Sequence, residues 1–226
     1  MEIRFLGQNC FLISYNGKTI ITDPFYNYQK EKSGFDIATQ RIDFVLITHA
    51  HADHTADVQE VLQHHPDASL IAQPEICAYF SHSKSIDLNI GGTAHLGELM
   101  LSMVPAAHTS SFPDGSYGGT VAGFVLRMPE YNLYLSGDTG AIADMGLLEG
   151  LYGKINLSIL CIGGHYTMSP QEAAFAASKL IKTPRVIGAH FDTFPPISID
   201  HKAAVQVFEE NGVELLLPEL GQSFHF

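Results

Sequence analysis

The chain has 226 residues, 46% of them hydrophobic, with 24 Asp+Glu against 12 Lys+Arg and a formal charge of −12. That length suits one large domain or two small ones, and the apolar content with a mean hydropathy of +0.08 excludes a disordered chain. The charge repels phosphate backbones, so no long nucleic acid is expected as a partner. No apolar run nears the ~20 residues that span a bilayer, so no membrane is expected either.

Met1 leads straight into a strand pattern with no targeting segment before it, from which a cytoplasmic location is expected. Strands are predicted at Glu2–Leu6, Cys10–Tyr15 and Lys18–Thr22, with Asn16-Gly17 as a two-residue hairpin turn. The run Asp43–Thr48 reads as a strand buried on both faces, followed by a helix from about His54 to His64 that Pro66 stops. Ser69–Ala72 reads as a strand and Pro74–Phe80 as a short helix with Pro at its first position. Strands follow at Glu98–Val104, Thr120–Met128 and Asn132–Leu135, then a weak helix over Ala141–Leu151 and a strand over Leu157–Ile162. Ser169 and Glu172 form a capping box before a helix over Ala173–Ile181. Arg185–Ala189 is a strand, Asp200 caps a helix ending at Asn211-Gly212, and Val213–Leu217 and Ser223–Phe226 close the chain as strands. The mixture is α/β or α+β without strict alternation, in one domain over residues 1–226. Gly91-Gly92 and Gly163-Gly164 lack the rest of a nucleotide-binding fingerprint.

Cys10, Cys77 and Cys161 are odd in number and widely spaced, which predicts core thiols rather than a disulfide framework. Histidine is the unusual residue, with 12 copies. The segment Thr48-His49-Ala50-His51-Ala52-Asp53-His54 places four potential metal ligands within six residues, directly after a buried strand. Small Ala50 and Ala52 let the backbone curl, so the four donors aim at two points more readily than at one ion. Imidazole and carboxylate suit zinc, manganese or iron, and no thiolate is near to form a structural zinc site. The bland alternative is a solvated loop rich in His by chance; the spacing after a buried strand argues against it. His108, Asp138 and His190 each follow a predicted strand. Alone, each reads as a cap or surface residue; as a set they extend the donor list to seven. His64, His65, His82, His95, His201 and His225 have no ligand-like context.

His49-x-His51-x-Asp53-His54, then His108, Asp138 and His190 in that order, resembles the metallo-β-lactamase fold superfamily over essentially the whole chain. Ile20-Ile21-Thr22-Asp23-Pro24, Gly137-Asp138-Thr139-Gly140 and Ile162-Gly163-Gly164-His165-Tyr166-Thr167-Met168 are similar to the L-ascorbate-6-phosphate-lactonase-like branch, and within it to a group described only as metal-dependent hydrolases. The resemblance implies a four-layer αβ/βα sandwich of two mixed sheets flanked by helices. It assigns His49, His51 and His108 to one metal and Asp53, His54 and His190 to a second, with Asp138 bridging. It makes Asp23 an acceptor that orients a ligand histidine; otherwise Asp23-Pro24 is a turn. Thr48 and Thr139 are further candidates for such orientation. His51 stands where flavin–di-iron oxygen reductases carry Glu, and Asp138 where many true β-lactamases carry Cys, so both branches are disfavoured. Within these 226 residues no room is expected for the extra domain of the RNA-processing nucleases or for the C-terminal helical domain of glyoxalase II, so those branches are disfavoured as well.

The expected function is a dinuclear metal-dependent hydrolase, zinc first and manganese or iron as alternatives, using a metal-bridging hydroxide on a small ester, lactone or phosphoester. Asp53 is the expected proton acceptor. His165 and Tyr166 are expected to contact substrate, against the alternative of an ordinary loop. Asn89 is a turn residue first and a donor to substrate second, and Phe112, Tyr117, Phe191 and Phe194 are core residues first and an apolar rim second. The rival functions are a mononuclear iron oxygenase of the same fold, a phosphodiesterase acting on nucleotide-type substrates, and a binding module that keeps the fold without turnover. A small-molecule partner is expected, and assembly into homo-oligomers is left open.

Overall fold

Three apolar-rich strand segments follow one another at the start of the chain, and only the first residues of the first alternate in burial. In the computed structural model, which describes all 226 residues, β1 (Glu2–Gly7), β2 (Cys10–Tyr15) and β3 (Lys18–Thr22) form an antiparallel meander. Asn16 and Gly17 both take positive φ, 46° and 73°, which gives the hairpin the mirror-image turn that matches strand twist. β4 (Phe44–Leu46), β5 (Ser69–Ala72) and β6 (Ser85–Asp87) then add in parallel, and the C-terminal strand Ser223–His225 closes the other side on β1. Parallel neighbours need crossovers: the short turns Tyr26–Gln29, Lys30–Ser33 and Ile37–Thr39 lie in the one from β3 to β4, the helices Ala52–Thr55 and Val58–His64 in the one from β4 to β5, and Pro74–Phe80 in the one from β5 to β6. The apolar faces of Val58–His64 and Pro74–Phe80 join Leu12, Ile21, Val45, Ile47 and Leu70 in one buried cluster. This sheet belongs to a unit made of Met1–Asn89, Thr109–Thr120 and Pro218–Phe226.

A second unit comprises Ile90–His108 and Val121–Leu217. Its sheet holds β7 (Thr93–Leu96), β8 (Leu99–Pro105), β9 (Ala122–Arg127), β10 (Asn132–Leu135), β11 (Leu157–Cys161), β12 (Arg185–Ala189) and β13 (Glu214–Leu216), in sequence order across the sheet. β7 to β10 are antiparallel and β10 to β13 parallel. The helices Pro170–Phe175 and His201–Glu210 bury Ala173, Ala174, Ala204 and Phe208 with Leu160, Ile162 and Val186. The architecture is thus α/β, with two mixed seven-stranded sheets flanked by helices. Each sheet has three antiparallel pairs and then three parallel ones, a shared topology that no sequence periodicity betrays.

The helix expected over His54–His64 is two pieces, because the Asp57 N–H donates to the Pro24 carbonyl oxygen (3.0 Å) instead of to the preceding turn. Asp57 is buried, and its carboxylate accepts from the Asn27 backbone N–H (2.8 Å) and Asn27 Nδ2 (3.1 Å). The Ser169–Glu172 capping box opens its helix, which turns into a π-helical stretch over Ala176–Ile181 and ends at left-handed Lys182. The weak helix over Ala141–Leu151 is a 3₁₀ turn, Ala143–Leu147, followed by Leu148–Tyr152. All three cysteines are free and buried, and burial pushes the Cys77 and Cys161 thiols up to about 11, so they are inert core groups at neutral pH. No helix is long and apolar enough to cross a membrane.

Candidate metal centre

In the first unit the chemistry sits where the parallel strands β3 and β4 end. β3 delivers Asp23 and β4 runs into Thr48-His49-Ala50-His51, so a carboxylate and the donor loop leave neighbouring strands at the same edge. Asp23 is fully buried in a left-handed conformation (φ 37°) and accepts three hydrogen bonds. They come from the Thr48 N–H (2.8 Å), the Thr48 hydroxyl (2.7 Å) and His54 Nδ1 (2.8 Å). Burial pushes the Asp23 carboxyl up, while His54 and Thr48 pull it down. Because Nδ1 of His54 donates to Asp23, the lone pair of the ring is on Nε2. That is the carboxylate–histidine arrangement that orients metal ligands. The Thr48 hydroxyl lies 3.1 Å from His49 Nδ1. Since that hydroxyl gives its proton to Asp23, it accepts from Nδ1, and His49 also presents Nε2.

His49 Nε2 lies 3.0 Å from His51 Nδ1, and the His49 and His54 rings are 4.0 Å apart. Two imidazole lone pairs at that distance repel unless a proton or a cation lies between them. Two nitrogens on one tetrahedral zinc, with bonds of about 2.0–2.1 Å, are about 3.3–3.4 Å apart, so the spacing fits a metal. Asp53 Oδ2 is 3.5 Å from His54 Nε2 and accepts from Gln8 Nε2 (2.7 Å). Gln8 Oε1 has no protein hydrogen-bond partner. The loop itself is strapped down by Ser110, whose hydroxyl accepts from the Ala50 N–H (3.2 Å), and by Gln73, whose Nε2 donates to the Thr48 carbonyl (2.8 Å). Gly118 lies so close that a Cβ there would collide with Ala50.

In the second unit, His108 follows β8, Asp138 follows β10 and His190 follows β12. β8 and β10 both run antiparallel to β9, and β12 runs with β10, so all three donors leave the same edge. Asp138 Oδ2 lies 3.0 Å from His190 Nε2 and 3.6 Å from His108 Nε2. Asp138 and His190 are buried, and His190 takes a left-handed φ of 55°. One carboxylate oxygen thus stands close to both imidazole nitrogens. All seven donors belong to groups spaced to hold a metal ion.

The His165-Tyr166 loop is exposed, with its two rings edge to face 4.4 Å apart. It is anchored next to Asp138 by the Met168 N–H, which donates to the Thr139 carbonyl (3.0 Å). Beneath it, a Cβ on Gly163 would run into the His190 carbonyl oxygen. Gly163→Ala is therefore expected to destabilise the protein by about 1–3 kcal/mol, the usual range for overpacking, seen as a lower urea midpoint. Phe112 is buried and stacks on Tyr79 (3.7 Å), Phe191 is a core residue, Tyr117 is exposed and Phe194 is half-buried. Asn89 is exposed. His65 and His82 bond the carbonyls of Ile37 and Ala68, and His201 pairs with Asp192. Gln8, Gln73 and Ser110 carry no signal in the sequence that marks them as supports of the donor loop.

Histidines and carboxylates gathered at the strand ends of two mixed sheets define a metallo-β-lactamase-fold protein, and the comparisons with known proteins agree. Residues 18–191 match the model of the beta-lactamase superfamily domain. A UPF0173 metal-dependent hydrolase of Flavobacterium johnsoniae is 38% identical over 225 residues, covering 99% of each chain. One from Thermus thermophilus is 37% identical over 95% of this chain and 94% of its own. The structure of Igni18, a metallo hydrolase from Ignicoccus hospitalis, superposes with a TM-score of 0.84 at 30% identity, over 100% of this chain and 98% of that one. The chain belongs to the UPF0173 metal-dependent hydrolase family of the metallo-β-lactamase fold superfamily.

Proposed function

We propose that the seven donors together bind two divalent cations, zinc first and manganese or iron as alternatives, and that the protein hydrolyses a small ester, lactone or phosphoester. The observation that carries this reading is the pair of oriented histidines, His49 and His54, whose outer nitrogens are committed to Thr48 and Asp23 so that both present Nε2. His49, His51 and His108 take one ion, Asp53, His54 and His190 the other, and Asp138 both. Neither unit carries the full set, so residues 1–226 act as one metallo-hydrolase domain. When bound, such cations lower the pKa of water and polarise the oxygen of the substrate.

The chain's own residues do the rest. Asp53 has a side chain 25% exposed, against 0% for His54, so its carboxylate is the donor of that pair that exchanges protons with solvent and takes one from the attacking water. His165 and Tyr166 offer a ring N–H and a phenol to a negative oxygen of the substrate. Three reduced thiols suit a cytoplasmic location, and the charge of −12 favours a small substrate over nucleic acid.

Metal analysis of natively purified protein, followed by a screen of lactones and cyclic and linear phosphodiesters, tests this. Two zinc or manganese ions per chain are expected, with hydrolysis that chelation abolishes and either metal restores. One iron per chain with oxygen consumption would establish an oxygenase instead, and no turnover after metal loading would establish a binding module.

A further inference from the structure

We infer that Gln8 is a positioning residue that fixes the Asp53 carboxylate for the ion held with His54; this rests on the dinuclear reading above. Gln8 lies in the turn between β1 and β2, where the strand register shifts between Phe5 and Gly7. Its backbone is left-handed (φ 55°) and its side chain is fully buried. Few residues other than Gly, Asn and Asp occupy that conformation without a reason. The reason here is reach. From this turn the carboxamide spans 45 positions of sequence to place Nε2 2.7 Å from Asp53 Oδ2.

The choice of an amide has chemical content. A carboxylate that keeps a free oxygen swings about its χ angles. One oxygen tied to a neutral donor stops that motion without adding a positive charge that would compete with a cation. Asp23 holds His54 in the same way from the end of β3. The two adjacent donors of the loop, Asp53 and His54, are therefore each oriented by a residue of the N-terminal meander, one by a neutral donor and one by a charged acceptor.

The test is zinc binding to chelator-stripped protein, measured by competition with a chromophoric chelator. Gln8→Met keeps length and volume but removes the donor, and Gln8→His restores an N–H. Wild type is expected to show two binding steps. Gln8→Met is expected to weaken one step about 10–100-fold, the range for losing such an orienting partner, and to leave the other within about twofold. Gln8→His is expected to recover most of the loss. A merely structural role would lower both steps together and reduce the thermal midpoint of the metal-free protein, and that result overturns the inference. Two unchanged steps in Gln8→Met overturn it as well. A wild type that binds a single ion refutes the dinuclear reading by itself. The Gln8 assignment is then decided on that ion, upheld by loss in Gln8→Met with recovery in Gln8→His and overturned otherwise.

Discussion

Asp53→Asn is expected to lower turnover about 10²–10⁴-fold, the range for removing a general base, with little change in KM. The substitution keeps the shape of the side chain and one acceptor oxygen for Gln8, but it removes the proposed proton acceptor. Asp53 is suited to that task by position. It is partly exposed, while His49 and His54 beside it are fully buried. Steady-state kinetics on the substrate found by the screen, with metal content measured on the same sample, check the prediction. A drop with both ions retained assigns the proton step to Asp53. A drop that tracks loss of one ion assigns Asp53 to binding alone, and a wild-type rate removes both roles.

The second large effect is expected at Asp23. Three donors converge on this buried carboxylate, and Asp23→Asn turns one acceptor oxygen into a fourth donor facing them. A buried donor left unsatisfied costs about 1–3 kcal/mol. For a chain of this size that is a drop of about 2–12 °C in thermal midpoint. The measurement belongs on metal-free protein, where loss of ligand binding does not contribute. Zinc affinity is expected to fall about 10–100-fold besides, because the His54 ring loses the partner that fixes its tautomer. Asn tolerates the left-handed backbone of Asp23, so the change isolates the carboxylate from the turn. An unchanged midpoint and unchanged affinity would show that the network carries no weight.

The donor loop is legible in sequence because four donors stand within six residues after an apolar strand. What orients them is not legible. Gln8 and Asp53 are 45 positions apart, and Ala50 and Ser110 are 60 apart, so only the folded chain brings them together. Local chemistry gives the Asn16-Gly17 hairpin and the Ser169 capping box, each a matter of a few neighbouring residues. It fails at Asp57, where a tertiary bond to Pro24 interrupts the helix expected from about His54, while the periodic residues Val58, Val61 and Leu62 all fall in the piece after the break. It also misses β6 and β7, three- and four-residue strands whose pairing partners rather than their composition define them. The 3₁₀ turn at Tyr26–Gln29 is silent for the same reason, being held by the distant Asp57, whereas the one at Ile37–Thr39 is capped by the adjacent Asp36 and is too short to stand out.

The C-terminal strand pairs with β1, Glu2 opposite His225 and Arg4 opposite Ser223, and this has a bearing on how the protein is made. A ribosome adds about 5–20 residues per second, so β1 waits on the order of 10–45 s for that neighbour. Throughout that interval the nascent first sheet shows bare backbone along its outer border, an invitation to stray strands. Arg4, which in the finished fold bonds the carbonyls of Gly221 and Ser33, puts a positive charge on that border while it is still uncovered.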